Sequence, residues 1–293
     1  MTGLGSVGDA AGDTLANIEN LTGSDFDDVL EGNGGNNVLT GSTNGSGGDT
    51  ASYANALAAV TVSLATTLEQ NTLGAGKDML LGFENLGGSA FSDKLKGSSL
   101  ANILAGGAGS DVITGGAGND TLQGGADDDI LIGGAGADAL DGGTGNDTAS
   151  YATSTVAVTV DLAAGTGLGG DAQGDTLTNV ENLIGSSLHD ILTGDGNDNV
   201  LTGGAGKDTL TGGLGDDILI GGTSADILNG TDGSDTASYA CHGRPEPCDR
   251  AGRNRRCVGR RPVQHRQPYR LGLCRRPYRR RQCQRHQWRS GST

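Results

Sequence analysis

GGAGSDVIT, GGAGNDTLQ, GGADDDILI, GGAGADALD and GGTGNDTAS follow one another without a gap over residues 106–150. Each unit opens on two glycines and carries Asp at its sixth position, with an aliphatic residue at the eighth in most copies. A module copied at so short a fixed period is the mark of a stacked, solenoidal chain in which each coil rests only on its neighbours. The leading glycines tolerate backbone angles that a Cβ resists, and VIT, TLQ or ILI after the Asp favour a very short strand. One unit is therefore a turn followed by a strand. Side chains alternate across a strand, so Ile113, Leu122, Leu131 and Leu140 form an inward-facing row.

That row is too thin to order the backbone around it, because two aliphatic side chains per eighteen residues remove little apolar surface from water. The sixth position supplies the missing cohesion. If two units make one coil, Asp111 stacks on Asp129, Asp120 on Asp138 and Asp129 on Asp147, and stacked carboxylates repel unless a cation lies between them. Glycine-rich turns aim main-chain carbonyl oxygens at the same space. An all-oxygen environment of this kind suits Ca²⁺ and not Zn²⁺. For each such Asp the plainer alternative is a turn-stabilising side chain that bonds its own backbone.

A second array covers residues 185–238 in the same register, with Asp190, Asn199, Asp208, Asp217, Asp226 and Asp235 at the sixth positions. Pairing at eighteen residues joins Asp190 to Asp208, Asp208 to Asp226 and Asp217 to Asp235, and Asn199 reads as a weaker ligand. Degenerate units near the start place Asp28 and Asn37, then Asp93 and Asn102, in the same slot. The expected metal ligands are Asp111, Asp120, Asp129, Asp138, Asp147, Asp190, Asp208, Asp217, Asp226 and Asp235. With them go the turn glycines at the second and fourth positions: Gly107, Gly109, Gly116, Gly118, Gly134, Gly136, Gly204, Gly206, Gly213 and Gly215.

The pattern GGxGxDxUx, as in GGAGNDTLQ and GGAGKDTLT, resembles the RTX, or haemolysin-type, calcium-binding repeat. The resemblance implies an all-β chain, a parallel β-roll or β-solenoid with Ca²⁺ held between successive turns. It also implies an extracellular protein that leaves the cell through a type I secretion apparatus and folds outside. Two functions then compete: a calcium-folded structural or adhesin-like module, and the secretion and folding domain of an RTX enzyme or toxin whose catalytic part lies elsewhere.

A longer period overlies the short one. DTASYA begins at Asp49, Asp147 and Asp235, spaced by 98 and 88 residues, and is followed twice by AVTV-x-LA. ENL-x-GS begins at Glu19, Glu84 and Glu181. These markers divide the chain into a partial unit at 1–46, large units at 47–146 and 147–240, and a remainder at 241–293. The DTASYA and AVTV stretches read as spacers between calcium-bearing blocks. Whether their β-branched strands continue the roll or interrupt it is left open by the sequence.

Composition changes abruptly near residue 240. Residues 1–240 carry 33 acidic and 4 basic side chains, whereas residues 241–293 carry 2 and 16, with every Cys, Pro and Arg of the chain and its Trp. The acidic part thus has no disulfide and only six Phe and Tyr residues to build on. Without cations its self-repulsion favours expansion. The basic tail reads as disordered. Its cysteine spacings fit no zinc pattern, and a nucleic-acid-binding arm explains it less well than a shifted reading frame. Re-read one base along with suitable synonymous codons, residues 264–289 become NIDNLTGSGFADVLTGAGNANVINGG, close to NIENLTGSDFDDVLEGNGGNNVLTG at 17–41. The likeness of residues 8–24 to 170–186 similarly implies that the chain begins inside a large unit.

Catalytic motifs do not emerge. His189, alone among the histidines in preceding residue 240, sits at a turn position and reads as a surface residue. No G-x-S-x-G is present, and GLGSVG at residues 3–8 has no preceding strand to make it a dinucleotide fingerprint. The periodic placement of the carboxylates argues for cation binding over a glycosidase pair. The expectation is a non-enzymatic, calcium-binding module that neither spans a membrane nor binds nucleic acid.

Overall fold

The computed structural model describes residues 17–42 and 47–238, together with the backbone of the two-residue strands Gly3–Leu4 and Thr14–Leu15. The expected basic tail from residue 241 lies outside the described residues. Within them the chain is all-β, with one short 3-10 turn at Gly170–Ala172. Successive units send their strands alternately to two sheets of a parallel β-solenoid, so two nonapeptides make one coil. Strand Val112–Ala117 lies parallel to Ile130–Ala135 with Ile113 opposite Leu131, and Leu104, Leu122 and Leu140 align in the facing sheet. In the second array Leu201 lies opposite Leu219, and Leu210 opposite Leu228. The eighteen-residue pairing expected from sequence is the register found.

The strands are longer than the sequence suggests. Val112–Ala117 runs from the seventh position of one unit through both glycines and the third position of the next, leaving only three residues for the turn. The coils approach so closely that a Cβ on Gly134 would collide with the carbonyl oxygen of Gly116, which explains why a residue without a side chain can extend the ladder here. The core is a single file of aliphatic side chains. Leu104, Ile113, Leu122 and Leu131 are fully buried, as are Leu192, Leu201 and Leu210 in the second array.

The AVTV stretches both continue and interrupt the roll. Strand Thr159–Asp161 stacks in parallel on Ile191–Thr193, placing Val160 against Leu192. The chain then turns back through Thr166–Leu168 and forward again through Thr176–Thr178, which stacks in parallel on the array strand Ala139–Thr144. The opposite sheet runs on undisturbed, with Ala149 next to Leu183 and Leu183 next to Leu201. The first large unit repeats this build: Thr61–Ser63 stacks on Lys94–Lys96, and Gln70–Leu73 runs antiparallel to Gly76–Leu81, which stacks on Asn37–Thr40. Each module thus adds an antiparallel strand beside the roll: in the second it completes a three-stranded meander, and in the first it meets the preceding strand only at the single bridge of Val60 with Leu73. The core of each module is broader than that of the arrays, with Tyr53, Val60, Val62 and Phe83 buried in one and Tyr151, Val158, Val160 and Val180 in the other. Ile130–Ala135 pairs with Thr148–Ser150, so the strands on either side of residue 146 share one sheet.

Candidate metal centre

The sixth-position side chains form a continuous ladder along the roll. Within the arrays each Asp except Asp190, which follows a module and accepts from Val158, accepts a hydrogen bond through Oδ1 from the backbone N–H of the residue eighteen positions earlier: Asp111 from Asp93 (2.7 Å), Asp129 from Asp111 (2.7 Å), Asp138 from Asp120 (2.8 Å) and Asp147 from Asp129 (2.8 Å). In the second array Asp208 accepts from Asp190 (3.0 Å), Asp217 from Asn199 (2.9 Å), Asp226 from Asp208 (3.1 Å) and Asp235 from Asp217 (3.2 Å). The picture of carboxylate facing carboxylate is therefore corrected. A backbone donor stands between successive acids and occupies one oxygen of each, which offsets part of their repulsion.

The other oxygen is left over. Among the described residues, Oδ2 of Asp49, Asp111, Asp120, Asp129, Asp138, Asp147, Asp208 and Asp217 is buried with no hydrogen-bond partner. A buried acceptor without a donor costs about 1–3 kcal/mol, and more when charged. The same carboxyls are pushed up from the usual 3.8, first by burial and then by neighbouring acids, against the lowering effect of the backbone N–H. Asp111 reaches about 7, and Asp120 and Asp129 about 6. Asp49, Asp138, Asp147, Asp208 and Asp217 are raised in the same direction by burial.

Each orphaned oxygen borders a gap made by a glycine. A Cβ placed on Gly124 would collide with Oδ2 of Asp129 and come within 2.5 Å of the carbonyl oxygen of Gly142. On Gly203 it would meet Oδ2 of Asp208 at 2.5 Å and the carbonyl of Gly221 at 2.8 Å. The first-position glycine thus opens a cradle where a carboxylate oxygen and a main-chain carbonyl of the next coil converge. Among the described residues no three His, Cys, Asp or Glu side chains cluster around one point. A cation held here must draw most of its ligands from carbonyl oxygens, which is chemistry that suits a hard ion such as Ca²⁺.

The model of the RTX calcium-binding nonapeptide repeat, four copies long, matches residues 13–50, 87–122, 114–149, 184–219 and 202–237, together more than half of the chain. The chain belongs to the RTX calcium-binding repeat family. No curated protein matches it. The RTX repeats coincide with the ladder, and the donor set fits the ion: charged, buried and otherwise unsatisfied oxygens beside carbonyls.

The ten RTX turn glycines expected as ligands have φ between 91° and 152°, the left-handed side that excludes most side chains. Their carbonyls run along the roll: those of Gly107, Gly116 and Gly204 point at Gly125, Gly134 and Gly222 of the next coil. The carbonyls beside the orphaned oxygens of Asp111, Asp120, Asp129, Asp208 and Asp217 belong instead to first-position glycines, outside the expected set, and the one beside Asp147 belongs to Asn179. Of the expected acids, Asp226 is half-buried and Asp235 exposed at the last coil described, and Asp190 is fully buried but has its own donors. Asp49 was missed. Three extra residues before it hide its sixth-position identity, although DTASYA starts on the equivalent Asp147; the register of Val29 with Thr50, twenty-one residues on, shows the insertion.

Asn in the slot has its own logic. Asn102 and Asn199 donate through Nδ2 to the carbonyls of Glu84 (2.6 Å) and Glu181 (2.8 Å), eighteen residues earlier. A carboxylate cannot make that bond. His189 accepts through Nδ1 from the N–H of Lys207 (2.6 Å), a turn-to-turn bond on the exposed side. Among the described residues no helix is long and apolar enough to cross a membrane.

Proposed function

We propose that this chain is a calcium-folded, non-catalytic module of a secreted structural or adhesin-like protein, whose biochemical activity is to bind Ca²⁺ and become rigid. The observation that carries this reading is the row of buried, partnerless Oδ2 atoms, most of them beside a main-chain carbonyl of the next coil. Asp111, Asp120, Asp129, Asp138 and Asp147 of the first array, and Asp208 and Asp217 of the second, would hold the ions, with Asp226 and Asp235 extending the row where it meets solvent. Bound Ca²⁺ would supply positive charge to oxygens that the protein leaves unsatisfied. The chain's own part is to hold one oxygen of each acid on a backbone N–H, to exclude side chains with glycine and to stack the coils through the aliphatic file.

Membership of the RTX family supports an extracellular setting and export by a type I apparatus, where calcium is plentiful enough for modest sites. The test is circular dichroism and titration calorimetry on the full chain. Millimolar Ca²⁺ is expected to raise β-content above that in EGTA with measurable heat. Identical spectra in both buffers and no heat of binding would end the proposal.

A further inference from the structure

The ladder acids are not all alike. Asp190, fully buried, accepts at Oδ2 from the backbone N–H of Ser186 (2.6 Å) and lies 2.9 and 3.0 Å from the Ser186 hydroxyl. Asp93 is held in the same way by Ser89, whose N–H reaches Oδ2 at 2.5 Å and whose hydroxyl reaches Oδ1 at 2.9 Å. Ser24 does likewise for Asp28, with both donors on Oδ2. These serines stand where the regular units have their second glycine, and each is the last residue of an ENL-x-GS motif. At the other marker, the buried hydroxyls of Tyr53 and Tyr151, from DTASYA, donate to Oδ2 of Asp78 (3.3 Å) and Asp175 (3.1 Å). Asp78 and Asp175 belong to the ladder, because they accept at Oδ1 from the N–H groups of Asn37 (3.0 Å) and Asp138 (2.9 Å).

We propose that the two long-period motifs are caps that stand in for calcium: the Ser of ENL-x-GS and the Tyr of DTASYA supply to five ladder acids the contact that a cation supplies to the others. Resting on the calcium reading above, this divides the roll into cation-requiring stretches bracketed by coils that the protein satisfies by itself. The chemistry is direct. A hydroxyl or an N–H gives a carboxylate oxygen a donor without adding an atom that needs further ligands. The unit after each Ser cap carries Asn37, Asn102 or Asn199, uncharged at the same slot, so no orphaned oxygen is created there.

The experiment counts calcium bound per full-length chain by equilibrium dialysis, for the wild type, Asp129→Ala and Asp190→Ala, and records melting in EGTA for Tyr151→Phe and Ser186→Ala. Asp129→Ala is expected to lose at least one ion and Asp190→Ala none. Tyr151→Phe and Ser186→Ala, which keep every carboxylate, are expected to melt lower in EGTA and to bind no fewer ions. Should Asp190→Ala fail to fold, those two variants carry the same distinction. Equal ion losses in Asp129→Ala and Asp190→Ala, or an ion lost from Tyr151→Phe or Ser186→Ala, would overturn the division while leaving calcium binding intact. A wild-type chain that takes up no calcium would overturn the reading beneath it.

Discussion

The array at residues 106–150 and the module that follows it to residue 185 are built on the same ladder, yet they solve the problem of a buried acid differently. In the array Asp111, Asp120 and Asp129 each keep one oxygen without a partner, and the core behind them is a single file of Leu and Ile. In the module Asp175 gives that oxygen to Tyr151, and the Tyr ring joins Val158, Val160 and Val180 in a broader core. On the calcium reading, cohesion in one region is deferred to an ion. In the other it is made by side chains. A solenoid of glycine and aspartate can thus contain segments of quite different self-sufficiency along one continuous ladder of acids.

The largest expected effect is a split in hydrogen exchange. In EGTA the amides of residues 112–135 should lose protection while those of residues 159–184 keep more of it, and Ca²⁺ should bring the two together. Uniform loss across both regions would erase the distinction. Next comes the core, where the regions should agree: Leu131→Ala and Leu183→Ala, both at fully buried positions, should each cost about 2–5 kcal/mol in calcium-saturated unfolding. A cost confined to one of them would mean that packing, and not the treatment of the acids, separates array from module.

A pH series comes third. The array carboxyls have folded values raised to about 6–7 from an ordinary 3.8. Their contribution to the calcium-free fold is therefore fully present below about pH 4 and is lost as pH rises through 6 to 7. Melting in EGTA should fall between pH 5 and pH 8. In saturating Ca²⁺ the trend should flatten or reverse, because binding requires the carboxylates deprotonated. A melting temperature in EGTA that rises with pH would contradict the burial of these acids. The smallest effect is local: Asp129→Ala should weaken calcium binding more than Asp161→Ala. Asp129 belongs to two stacked pairs, whereas Asp161 accepts only from the nearby N–H of Ala164 (2.9 Å). Titration calorimetry showing equal affinities would remove Asp129 from the site.

Much of this was legible in the residues. The period of nine, the pairing at eighteen, the inward file through Leu122 and Leu131 and the sixth-position ladder all follow from repetition, since a copied unit must make the same contacts in every copy. The Ser caps also had a local signal: Ser186 lies four residues before Asp190, close enough for an ordinary turn bond. Asp49 was obscured by an insertion of three residues, which breaks the count on which repeat reading depends. The pairing of Tyr151 with Asp175 had no such signal, because twenty-four residues and two strands of the meander separate them.

The sequence by itself determined the coil, its core and the positions of its acids, because these are properties of one unit multiplied along an axis. Only the tertiary structure decided which oxygen of each acid is left without a partner, and so where the proposed ions would sit. That outcome depends on whether a backbone N–H, a serine, a tyrosine or nothing at all arrives from another coil, and donors brought from a distance are invisible to a nine-residue period.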